Sequence, residues 1–567
     1  MGNLAIKKLL FFLLLNIVIG TQVQCSNNLQ KKWEHWEQHP IYSFFQIVAD
    51  STSSMPDIMT LKTKGYMKGI LGKSYPVFHL DKDSLTIDVR MKYKTQRCKS
   101  LLLTFYAIGE KANVMGADTI VLPLEEDWTE HAFSLSIKKG FSIEVSIEAE
   151  GSEKEKTGDV SIAYLDISSD GSSLNNLANA YRSPKISPSS VKTWEDLLSS
   201  SIMDKKILAL GETVHGTRTL NDIGFELMKE RILRHHCKLI VFETPLSVAL
   251  YLNRYVKNDQ RYSYENIQKF VEPFSTLGIG PFLHWLKEYN AIHNNEITLL
   301  GVDGEAYSIL GKMNLYNYLD CANSDGLLDP LCDDLMYHVD SANVDTIVTK
   351  KLLSDKETKL LQCCINNMRE YQTSRQSLVH RDEKMAEMMQ ILDSMYLDSN
   401  ITATFYGHFM HANYVMTSSV SFIHNSPSMG CLLKQKYGAD YACVALSAKQ
   451  GDAWYSTIKN ERELHPIQKA PDGSIENAIS SEEDGAISYL PMDKFSYHDV
   501  FLIRTANAIY GSNEFSYWPS KACMDGIVNV NKASHWEGTY EPFEKRENFL
   551  HDSWFKTLVK LREKRTK

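Results

Sequence analysis

From about residue 192 the chain carries short runs that are apolar without alternation, separated by stretches of helical periodicity, and few folds accept such a pattern. The runs are Lys206–Leu210, Leu239–Phe242, Ile297–Val302, Thr402–Tyr406, Tyr441–Leu446 and Val500–Ile503. A strand that is apolar on both faces needs cover on both, and flanking helices supply it in a largely parallel α/β sheet. Between the first two runs Ile223, Leu227, Met228 and Ile232 recur at helical spacing, while Lys229, Glu230 and Arg231 fall outside that stripe. This segment therefore reads as one β-α-β unit, and the fold class as α/β over residues 192–510.

The region before it has a different character. Across residues 40–165, Thr86–Met91, Leu101–Tyr106, His131–Leu135 and Ser142–Ile147 are β-prone and separated by turn residues. This spacing predicts an all-β, sandwich-like domain. The Ser-, Asn- and Pro-rich stretch 166–191 predicts a linker. Residues 511–567 read as a tail whose helix spans Asn548–Lys564, with Leu550, Trp554, Leu558 and Leu561 on one face. At the other end, Lys7 and Lys8 precede an apolar run from Leu9 to Gly20, the layout of an export signal ending near residue 25. That run is short for a membrane span. The expected location is thus secreted, periplasmic or on the cell envelope, with Cys25 a candidate lipid-bearing residue.

Composition removes several functions. Of 567 residues 43% are hydrophobic and 23% charged, which suits a globular protein, and the net charge of −9 opposes a nucleic-acid binder. The ten cysteines are scattered, so no zinc ribbon is spelled out. Export would permit a disulfide such as Cys321–Cys332.

Four apolar runs stop at polar clusters: Gly211–Gly216 containing Glu212 and His215, then Glu243, then Asp303–Glu305, then Gly407–His411. In parallel sheets the loops beyond the carboxyl ends of the strands converge on ligands while the strands stay rigid. A carboxylate beside an imidazole fixes its tautomer and raises its basicity, as a base that deprotonates water requires. Glu212 and Glu243 are the candidate orienting carboxylates and His215 the candidate base. His408 and His411 are placed to polarise a carbonyl or hold an anionic intermediate. Asp303 is a candidate substrate-binding residue, and Gly211 and Gly216 give backbone room for a substrate. No Gly-x-Ser-x-Gly elbow, phosphate-binding loop or dinucleotide fingerprint is present, which leaves attack by activated water.

These residues resemble the erythromycin esterase family, in which a strand runs into Gly-Glu-x-x-His-Gly, followed by a helix and a strand ending in Glu. Phe282–Asn290 before Leu300–Asp303, Arg381–Ala386, and His408-x-x-His411 are similar to the family in order and spacing, over about residues 195–505. The resemblance implies an ester hydrolase, opening macrolide lactones and so inactivating antibiotic, with His215 as base and Glu212, Glu243, His408 and His411 completing the site. Thr217–Leu220 stand where the family carries an acidic residue, and Phe409 and Met410 where it favours Asn and a small residue. These departures imply an altered pocket and a substrate that is a small-molecule ester or lactone of unspecified kind.

No cofactor is required by this reading. A second reading is a divalent-metal hydrolase using the same histidines and carboxylates. A third is a surface binding protein whose α/β domain has lost catalysis, with glycan or envelope contact through the β-rich domain.

Overall fold

The computed structural model describes most residues between 37 and 537. Residues 1–36 and 538–567, with interior stretches such as 49–57, 77–82, 271–277, 374–380, 415–426 and 506–513, fall outside the described residues. The expected export signal, Cys25 and the expected helix Asn548–Lys564 lie among them. The chain divides into two compact units with the boundary between Tyr181 and Arg182.

The first unit is built of strands β1 (Glu37–Gln38), β2 (Ser43–Val48), β3 (Ile58–Thr63), β4 (Lys68–Pro76), β5 (Ser84–Gln96), β6 (Cys98–Ile108), β7 (Val114–Val121), β8 (Thr129–Lys138), β9 (Ser142–Gly151), β10 (Gly158–Ser169) and β11 (Ser172–Ser173). They form two antiparallel sheets, β1-β4-β9-β6-β7 and β2-β3-β10-β5-β8, with β11 paired to β10. Alternation in sequence explains the layering. Along β5, Leu85, Ile87, Val89, Met91 and Tyr93 are buried while Ser84, Thr86, Asp88 and Arg90 are exposed. The buried set joins Leu103, Phe105, Val145 and Ile147 of the other sheet in one core. The expected strands fall within β5, β6, β8 and β9, and pairing continues through Ser173, into the stretch read as linker.

The second unit holds β12 (Ile207–Glu212), β13 (Cys237–Pro245), β14 (Thr298–Asp303), β15 (Thr402–His408), β16 (Tyr441–Ser456), β17 (Arg462–Ile467), β18 (Ile487–Pro491), β19 (Val500–Arg504), β20 (Phe515–Pro519) and β21 (Gly526–Ala533). The main sheet runs β14-β13-β15-β12-β16-β21-β18, with β17 paired to β16. All pairs from β14 to β21 are parallel; only the β18 and β17 pairings are antiparallel. Every residue of β12 and β14 is buried, as unalternating apolar strands require. The chain enters the sheet at β12, in the middle, and later strands are laid down on both sides of it. Such a reversal opens a crevice at the carboxyl ends.

Several expectations are corrected here. Val500–Ile503 is a strand, but β19 pairs with β20 in a separate two-stranded sheet, with one isolated bridge from Leu502 to Ser474. The α/β sheet does not end at residue 510: β21, from the region read as tail, lies between β16 and β18. Its sequence hides it, because Asn529 interrupts the apolar run and is nevertheless buried, its amide donating to Glu476 O and Ser480 Oγ. Arg231, placed outside the helix's apolar stripe, is fully buried and donates to Lys205 O at 2.7 Å. Cys321 and Cys332 are free thiols, like all cysteines among the described residues. Among those residues no helix is long and apolar enough to cross a membrane.

Candidate active site

Register across the sheet assembles the site. Glu212 ends β12 opposite His408, which ends β15, so two polar residues sit side by side at one rim. The turn after Glu212 carries His215 back over the strand end. There its Nδ1 lies 2.5 Å from Glu212 Oε1, and its ring stacks on that of His408 with centroids 4.1 Å apart. Glu212 is fully buried, and its other oxygen lies 3.1 Å from the Tyr406 hydroxyl. Tyr406 also reaches Asn221 Oδ1 at 2.7 Å. Burial, reinforced by the Glu212 charge, holds the Tyr406 hydroxyl well above the ordinary phenol range, so it stays a donor.

The second half of the site is an ion network. Glu243, on β13, accepts the His408 backbone N–H at 2.6 Å and Arg381 Nη2 at 2.8 Å, and lies 3.3 Å from His411 Nε2. Arg381 also grips both oxygens of Asp303 at 2.7 Å, through Nε and Nη2. Asp382, the next residue, lies 2.8 Å from His411 Nδ1 and accepts the Met429 N–H. His411 is thereby clasped by carboxylates at both ring nitrogens. Burial works against charge on this ring, but Asp382 and Glu243 outweigh it and push its pKa up to about 10. His411 is an imidazolium at neutral pH.

His408 is the opposite case. Burial, with the His215 and His411 rings beside it, drives its pKa well below the usual range against the pull of Glu243, so it is neutral. Its Nε2 is buried and has no hydrogen-bond partner among the described residues. Burial alone would raise Glu243, but His411, Arg381 and His215 together hold it well below the usual carboxylate range.

All six residues singled out from the sequence thus share one cluster. Glu212 contacts His215, and Glu243 contacts Arg381, His411 and the His408 backbone N–H. Asp303 is spent on Arg381. The room left by Gly211 and Gly216 is filled by protein: a Cβ on Gly211 would stand 2.7 Å from Phe409 Cα, and one on Gly216, whose φ is +76°, 2.5 Å from Trp454 O. Phe409 and Met410 are buried, with the Phe409 ring facing Trp518 at 6.2 Å, so the residues between the paired histidines pack the interior. Sequence reasoning assigned no role to Tyr406, Asn221, Arg381 or Asp382. Two signals were available: Tyr406 stands two places before His408 on one strand, hence on the same face, and Arg381-Asp382 opens a helix with adjacent opposite charges. Among the described residues no group of three or more His, Cys, Asp or Glu is disposed to hold a metal ion.

Residues 350–523 match the family model described as erythromycin esterase. Residues 350–523 of the second unit are thus erythromycin esterase-like. The matched stretch contains Arg381, Asp382, His408 and His411; it begins after Glu212, His215 and Glu243, and so is shorter than the span suggested by resemblance. Solved structures similar to the chain include a succinoglycan biosynthesis protein, at 15% identity and TM-score 0.45, covering 61% of this chain and 92% of that one. A Bacillus cereus protein is 17% identical at TM-score 0.44, covering 64% and 97%. An erythromycin esterase mutant in its open conformation is 15% identical at TM-score 0.45, covering 61% and 95%. Among curated proteins none matches the chain.

Proposed function

We propose that the esterase-like unit hydrolyses an ester or lactone by water that His215 deprotonates. The observation that carries this reading is the 2.5 Å contact between His215 Nδ1 and the buried Glu212. An imidazole whose Nδ1–H is tied to a carboxylate has its Nε2 lone pair available as a base, and the carboxylate stabilises the imidazolium that forms. His215 is the part-exposed member of the pair, and Glu212 the buried one.

The other histidines divide the remaining work. His411 has both ring nitrogens committed to carboxylates, so it supplies a fixed positive charge rather than a hydrogen bond to substrate. His408, neutral and with an unpartnered Nε2 beside His215, is the group available to meet the oxygen on which charge develops. Collapse of the tetrahedral intermediate then breaks the acyl–oxygen bond, and the proton held by His215 goes to the leaving alkoxide. Acid and alcohol are the products, or one ring-opened hydroxy acid from a lactone.

Macrolide lactones are one substrate class for this reading, supported by the family match over residues 350–523. Export, read from Lys7, Lys8 and the apolar run after them, would put the reaction outside the cytoplasm. The test is incubation of the full chain with a panel of macrolides, simple lactones and aryl esters, followed by mass spectrometry. A product heavier by one water from at least one lactone, or acid and alcohol from one ester, is expected; an unchanged panel would remove the hydrolase reading.

A further inference from the structure

The second unit has another cavity, at the opposite rim of the sheet from His215. Its wall includes Lys205, two residues before β12, Asp525, immediately before β21, and Pro491, which pairs with Gly526 at the same end. Glu212 closes β12 seven residues beyond Lys205, about 23 Å away at roughly 3.3 Å per strand residue, while Asp525, two strands across, is level with Ala209. The cavity has a volume of about 1030 Å³, within reach of what a drug-sized ligand occupies.

Its chemistry is unlike that of the protein at large. Although the chain carries a net charge of −9, five lysines and three aspartates line this cavity. Two of the aspartates are occupied internally. Asp196 accepts the Thr193 backbone N–H and hydroxyl, and Asp525 accepts the Cys443 N–H and the Tyr414 hydroxyl. Two of the lysines are likewise anchored: Lys434 donates to Tyr441 O at 2.8 Å and Lys521 to Asp493 O at 3.3 Å. The ammonium groups of Lys192, Lys205 and Lys494 make no hydrogen bond or ion pair among the described residues. Three cations with their hydrogen-bonding capacity unspent therefore line one cavity, against the carboxylates of Asp493 and of Asp196, whose acidity the Thr193 hydrogen bonds and the Lys192 charge increase.

The rest of the wall is aromatic and apolar. Tyr414, Tyr489 and Tyr497 line it together with Met492 and Met524. Lys434 sits over the Tyr414 ring at 4.6 Å and Lys521 over the Tyr497 ring at 5.3 Å, so ring faces and cations are interleaved. Inorganic anions gain nothing from the rings and methionines, and neutral apolar molecules gain nothing from the ammonium groups. A ligand that uses both has an aryl or alkyl body and an anionic head.

We propose that this cavity is a second binding site, separate from the hydrolytic cleft, for an amphipathic organic anion. The anionic head, a carboxylate, sulfonate or phosphate, meets Lys192 and Lys205, and the apolar body lies against Tyr489 and Met492. The site stands independently of the ester-hydrolase reading.

Calorimetric titration of the full chain with anilinonaphthalene sulfonate tests it, with uncharged phenylnaphthylamine and inorganic sulfate as comparisons. One saturable site per chain is expected, with both comparisons about tenfold weaker or more, since each charge-assisted contact is worth roughly that factor. The K192Q/K205Q variant should bind at least about tenfold and up to about a hundredfold more weakly, K192R/K205R within about threefold of the parent, and His215→Ala like the parent. Should K192Q/K205Q fail to melt like the parent, the single variant Lys192→Gln takes its place, with weakening again expected. Absence of saturable binding, equal affinity in the lysine-to-glutamine variant, or loss of binding in His215→Ala would each overturn the proposal.

Discussion

In the proposed reaction the Glu212 side chain holds His215 Nδ1 and stabilises the imidazolium that His215 becomes. Replacement by Gln keeps the shape and removes the charge, so turnover should fall by about two to four orders of magnitude with KM little changed. Steady-state kinetics on the best ester of the panel checks this. On the proposed mechanism the His411 charge sets the alkaline limit. Its folded pKa of about 10 lies above the ordinary 6.5, so its ion pairs contribute stability that is fully present below pH 6.5 and is lost as pH rises through about 10. A rate profile falling near pH 10, and falling at lower pH in Asp382→Asn, is the expected outcome. His408 acts in the other direction. Its depressed pKa gives stability above pH 6.5 that is lost as pH falls below that value toward its folded pKa. The six polar residues stood out because four apolar runs stop at the clusters that contain them; their partners did not, because Arg381 acquires its meaning only when Asp303 and Glu243, far away in sequence, are brought to it.

Strand ends are what turn these residues into a site. The register that sets Glu212 beside His408 is fixed by β12 being buried along its whole length, so a slip would expose its apolar side chains. The turn after β12 depends on Gly216, whose positive φ and contact with Trp454 O leave no place for a side chain. Gly216→Ala should cost about 2 kcal/mol and displace His215, lowering both the melting midpoint and the rate. Arg381 joins β13 and β14 to the helix Arg381–Tyr396. Arg381→Met leaves Asp303 without its cation and Glu243 with His411 alone, a loss of about 3–5 kcal/mol measurable by urea unfolding. The strands β12 to β16 were readable because each holds an apolar run without alternation. By contrast, β18 and β21 were not, since β21 buries Asn529 and β18 is an antiparallel edge strand whose Ser488 breaks the run.

At the scale of the molecule, the second unit closes its sheet with residues far down the chain, so β21 is an interior strand and not an accessory. Removing residues 511–567 should abolish cooperative unfolding of that unit, and a truncated chain that melts like the parent would contradict the sheet order. The two-unit organisation was visible in the change of periodicity near residue 192, whereas the reach of the second unit past 510 depends on long-range pairing that local patterns do not carry. The most direct measurement of the whole account is kcat/KM for the best ester or lactone with the parent chain and with His215→Ala, both shown to be folded by their melting curves. A loss of about a thousandfold or more is predicted for the variant; equal rates would mean that the imidazole stacked on His408 is not the base.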